Sequence, residues 1–60
     1  MNIRIIVRGG QSFLYKNGNY DIVYNRNNDV YEICKGDIVV GIFPKRNILG
    51  IIIDDEGELK

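Results

Sequence analysis

The chain has 60 residues with eight basic and eight acidic side chains, a formal net charge of zero, one cysteine and no histidine. That balance excludes a global nucleic-acid footprint, the lone cysteine excludes an internal disulfide, and the missing histidines argue against a zinc site. A single domain of this length buries only about 60% of its unfolded surface, so association with a partner is the expected stabiliser.

Residues 2–8, NIRIIVR, place Ile3, Ile5 and Val7 on one face and Asn2, Arg4 and Arg8 on the other, the pattern of a half-buried strand. Gly9-Gly10 ends it, because paired glycines turn with φ > 0 at no steric cost. Residues 12–24, SFLYKNGNYDIVY, read as a hairpin turning at Asn17-Gly18, with Gly18-Asn19 as an alternative centre two residues out of register. Either choice keeps Phe13, Tyr15, Tyr20, Ile22 and Tyr24 on one face, the expected core side.

Asn25 to Asp29 is a loop of turn-formers, and Val30 to Cys34 returns as a strand. Asp29 and Glu32 are also spaced as a helix-capping pair, but the β-branched and aromatic content favours the strand. Lys35-Gly36-Asp37 turns into Ile38–Ile53, the most apolar stretch, with ten large apolar side chains in sixteen residues. It reads as a hairpin with Pro44-Lys45-Arg46-Asn47 at the tip, giving pairs 42/49, 41/50, 40/51, 39/52 and 38/53. Such a hairpin is apolar on both faces, so both should be covered. Residues 54–58 then end the sheet with an acidic run.

Five to six short strands at regular spacing, with no helical period, predict an all-β domain spanning residues 1–60: a small antiparallel sheet or partly open barrel built from consecutive hairpins. The N-terminal strand is broken by Arg4 and Arg8 and lacks a signal-peptide core, and no apolar run reaches the roughly 20 residues of a membrane helix. Together with the single cysteine this predicts a cytoplasmic protein.

Catalysis is not expected: without histidine, a base working near pH 7 would need a strongly perturbed Glu or Lys. Cys34 sits among apolar neighbours and reads as a buried, inert thiol, and neither a metal nor a cofactor is expected. The Gly41–Gly50 pair would leave a shallow trough framed by Val39, Phe43, Ile48 and Ile52, a surface on which a second copy closes a two-fold dimer. The alternative is that the glycines relieve a tight bend in the sheet. Arg26, Lys45, Arg46, Asp54, Asp55 and Glu56 supply the charges that would meet another partner, the acidic ones by mimicking nucleic-acid phosphates. A competing reading stacks bases on Tyr15, Tyr20, Tyr24 and Tyr31 beside Arg4, Arg8, Arg26, Lys45 and Arg46.

Eleven Ile and seven Asn, with no Ala, Thr, His or Trp, suit AT-rich codons and a low-GC bacterium or its phage. In size and character, with KNGNY and GDIVVGIF as hairpin segments, the chain resembles small phage-encoded inhibitors of bacterial defence such as anti-CRISPR and anti-Hachiman proteins. That resemblance implies a cytosolic, often homodimeric, non-enzymatic module that blocks a host protein; it transfers no functional residue. GDIVVGIF also resembles a strand of the SH3-like small barrels, which would imply binding of nucleic acid or peptide.

Overall fold

The computed structural model describes residues 2–54. It is all-β, with strands β1 (Asn2–Val7), β2 (Ser12–Tyr15), β3 (Tyr20–Asn25), β4 (Val30–Lys35), β5 (Ile38–Pro44) and β6 (Ile48–Asp54). A single 3₁₀ turn, Lys45–Asn47, links the last two. The strands form two open three-stranded antiparallel sheets, ordered β2-β1-β6 and β3-β4-β5.

Strand positions follow the sequence closely, and two pairings do not. Residues 12–24 form no hairpin, because β2 pairs with β1 while β3 pairs with β4. A type I′ turn needs positive φ at both central residues, and only Asn17 adopts it, at φ 66°. The segment between β2 and β3 is instead a corner that carries the chain from one sheet to the other. Tyr15 and Tyr20 flank that corner, with ring centroids 5.5 Å apart, and both pack against the core.

The Ile38–Ile53 hairpin is likewise absent. Ile51 lies opposite Ile5 and Ile53 opposite Ile3, while Gly41 lies opposite Ile33, so none of the five pairs from 38/53 to 42/49 forms. The physical reason lies in the composition of the stretch. Side by side, β5 and β6 would need cover on both faces, whereas placing them in different sheets lets each turn one face toward the other sheet. The link between them is pinned at both ends. Lys45 N–H donates to the Asp29 carbonyl at 3.0 Å, and Arg8 N–H donates to the Asn47 carbonyl at 2.9 Å. The Arg8 Nε–H donates to the Arg46 carbonyl at 2.8 Å.

The true hairpins turn at Gly9-Gly10 (φ 94° and 90°), at residues 26–29 ending in Asp29 (φ 57°), and at Gly36 (φ 64°). Between the sheets, Ile3, Ile5, Ile33 and Phe43 form the buried core, with Val7, Tyr15, Tyr20, Ile22, Ile48 and Ile51 packed around it. Phe13 stacks tilted on Phe43 at 5.2 Å, and Tyr15 meets Phe43 edge-on at 6.5 Å, so aromatic rings bridge the sheets. The face predicted to be core is therefore the inner face, with Phe13 and Tyr24 at its exposed rim.

Candidate interaction surface

Residues opposite one another in an antiparallel pair share a face, so the registers separate inner from outer side chains. In the first sheet the outer rows are Asn2–Asp54, Leu14–Arg4–Ile52 and Ser12–Ile6–Gly50. In the second they include Val23–Glu32–Ile42 and Asp21–Cys34–Val39.

Two β-bulges break the strict alternation of the last strands. On β6, Ile6 faces Gly50 while Val7 faces Ile48, leaving Leu49 as the extra residue. On β5, Ile33 faces Gly41 while Cys34 faces Val39, leaving Val40 extra. Each bulge moves the following side chains to the opposite face. The six residues expected to frame one trough are divided accordingly. Phe43 is core, Ile48 packs against it, and Gly41 faces inward beneath the ring of Tyr15. Val39, Gly50 and Ile52 point outward, and they do so from two different sheets.

Gly41 and Gly50 are thus not a pair. A Cβ on Gly41 would collide with the Tyr15 hydroxyl and lie 3.2 Å from the Phe43 ring, whereas a Cβ on Gly50 would meet nothing within 4 Å. The trough at Gly41 exists, and Tyr15 of the opposing sheet fills it.

What remains exposed is concentrated on β5 and β6. Of eleven exposed large hydrophobic residues among those described, seven lie there: Ile38, Val39, Val40, Ile42, Leu49, Ile52 and Ile53. Among the described residues both strands are sheet edges, so each also presents backbone N–H and C=O groups with no described strand beside them. Sequence reasoning singled out Val39 and Ile52 and missed Ile38, Val40, Ile42, Leu49 and Ile53. The signal was present in the excess of apolar residues at both parities of the stretch; the bulges decided which of them turned outward.

An open depression of about 340 Å³ borders β6 on the outer face of the first sheet, lined by Asn2, Arg4, Leu14, Lys16, Ile52 and Asp54. The Asn2 Oδ1 is buried there without a hydrogen-bond partner. Of the remaining candidate charges, Arg26, Lys45 and Arg46 are exposed. Lys45 Nζ lies 5.5 Å from the centroid of the Tyr24 ring, which in turn stacks on Tyr31 at 5.0 Å. The Tyr24 hydroxyl donates to Asp29, and this bond to the carboxylate is the main reason its pKa is raised above 10.0. Asp55 and Glu56 lie outside the described residues.

Cys34 is half-buried on the outer face between Asp21 and Val39, not enclosed in the core. Among the described residues, no three His, Cys, Asp or Glu side chains gather as a metal site. Among the described residues, no helix is long and apolar enough to cross a membrane. No family model matches the sequence, and neither the curated proteins nor the solved structures give a match.

Proposed function

We propose that the chain is a non-enzymatic protein-interaction module that self-associates and acts by occupying the surface of a partner protein. The observation that carries this reading is the concentration of exposed apolar side chains on two edge strands of a very small domain. A core with four buried side chains among the described residues gives little stability of its own, and apolar surface of this kind is a docking surface or an aggregation hazard. The AT-rich residue usage and the resemblance to small anti-defence proteins favour one biological setting. In it, a phage or mobile element uses the module to block a host defence or nucleic-acid-processing protein, in the cytoplasm. The acidic residues at and after Asp54 would complement a basic cleft on such a target.

A tagged pull-down from a low-GC bacterial lysate, with and without nuclease, tests this reading. The expected result is a stoichiometric protein that survives nuclease and is lost with Ile42→Lys or Ile52→Glu. A second reading rests on the Tyr24–Tyr31 pair beside Lys45, which has the make-up of a base-stacking platform. Recovery of nucleic acid, abolished by Tyr24→Ala, would transfer the assignment to single-strand binding.

A further inference from the structure

We propose that β6 is the strand through which two copies of the chain pair, edge to edge and antiparallel about a two-fold axis. The inference deepens the self-association reading above and rests on it.

Among the described residues the two open sheets present four edges: β2, β6, β3 and β5. Proteins blunt an edge by making it short, charging it, bulging it or placing proline in it. Each of the four edges carries some such device, and on β6 it is confined to the two ends, the bulge at Leu49 and the charge of Asp54. β2 is only four residues long and runs into Lys16. β3 carries Asp21 on its exposed side. β5 is bulged at Val39–Val40 and ends in Pro44, which has no N–H to offer.

β6 is different. Its bulge lies at the start, at Leu49, and from Gly50 to Asp54 it pairs regularly with β1 through Gly50-Ile51-Ile52-Ile53. No charge, proline or irregularity interrupts those four residues, and Ile52 and Ile53 are each 51% exposed. The free side of this strand can take another β-strand, whose backbone matches the alternating N–H and C=O groups along an edge.

The character of the edge also identifies the occupant. An uncharged, β-branched strand set antiparallel to itself meets apolar residues with apolar residues and brings no like charges together at the axis. The resulting sheet runs β2-β1-β6-β6-β1-β2 across both copies. It joins the two outer faces, and with them the two depressions bordered by Ile52 and Asp54, into one surface. On the outer face a Cβ at Gly50 would meet nothing within 4 Å, so a side chain of a neighbouring strand can lean over it without a clash. A domain this small gains cover for an apolar edge that its described residues leave exposed.

The test is light scattering on the whole chain and on two single variants chosen to keep the isolated chain folded. Ile52→Glu faces Arg4 on β1, and Ile42→Lys faces Glu32 on β4, so each new charge has an opposite one across its own strand pair. The expected result is twice the 6.9 kDa chain mass for the wild type and for Ile42→Lys, and the single-chain mass for Ile52→Glu. The strand signature in circular dichroism should be unchanged throughout. A wild type of single-chain mass at millimolar concentration overturns both the pairing and the self-association reading. A dimer that survives Ile52→Glu, or one that dissociates with Ile42→Lys instead, overturns β6 alone and leaves self-association standing. Should Ile52→Glu unfold, hydrogen exchange on the wild type decides. The Gly50–Ile53 amides directed away from β1 must gain protection, of about tenfold or more, as the chain dimerises; constant exchange overturns the proposal.

Discussion

Gly41 and Gly50 occupy similar places in the sequence, each one residue beyond a bulge in an edge strand, yet their surroundings are opposite. A side chain at Gly41 meets the hydroxyl of Tyr15 and the ring of Phe43, whereas one at Gly50 enters open space. Gly41→Ala should therefore destabilise the fold by about 1–3 kcal/mol, the usual cost of overpacking, while Gly50→Ala should be neutral or slightly stabilising. Urea titration of the two variants measures the difference, and equal midpoints would contradict the placement of Tyr15. The Tyr24–Asp29 hydrogen bond makes a second residue-scale prediction. Because it raises the pKa of Tyr24 in the folded chain, its contribution to stability is present below the unfolded value of 10.0 and is lost as pH rises through the higher folded value. In an absorbance titration of tyrosinate, Tyr24 should contribute a late component that Tyr24→Phe removes.

The elements are held by turn geometry and by registers that shift at single residues. Asn17 takes φ 66° at the corner between the sheets, a conformation that a β-branched residue adopts only at a cost of about 1–2 kcal/mol. Asn17→Val should lower stability by that amount in chemical denaturation, and Asn17→Gly should preserve it. Asn17-Gly18 was thus a correct indication of a change in chain direction and a misleading indication of pairing. An Asn-Gly turn is compatible with a hairpin but does not require one; the inward-facing Tyr15 and Tyr20 on either side of it gain more by packing on the core. The same holds for Pro44 to Asn47, where hydrogen bonds to Asp29 and Arg8 turn an expected hairpin tip into a bridge between sheets. The bulges at Val40 and Leu49 then decide which apolar residues are spent on the core and which face outward.

At the scale of the whole molecule, stability rests on very few side chains. Ile33 is fully buried at the centre of β4, and Ile33→Ala should cost about 2–5 kcal/mol from lost contact and the cavity left behind. That equals the roughly 3–5 kcal/mol that a core of this size supplies, so the variant should be largely unfolded at 25 °C by circular dichroism. If pairing through β6 supplies the missing cover, the melting temperature of the wild type should rise with protein concentration, since association draws the equilibrium toward the folded chain.

The sequence by itself determined the all-β class, the bounds of the strands, the turns at Gly9-Gly10 and Gly36, and the inner face of Ile3, Ile5, Tyr15 and Tyr20. These follow from local physics: alternation of period two, and the φ > 0 that glycine and asparagine permit. It also showed that residues 38–53 hold more apolar surface than a solvated hairpin can carry. Only the tertiary structure decided how that surface is distributed. Pairing β6 with β1 joins the two ends of the described chain, and the choice between that and a local hairpin depends on which arrangement lets the sheets cover each other. No window of neighbouring residues contains that comparison. The same limit separates Phe43, buried against two aromatic rings from the other sheet, from Ile42 beside it, which faces solvent on an edge.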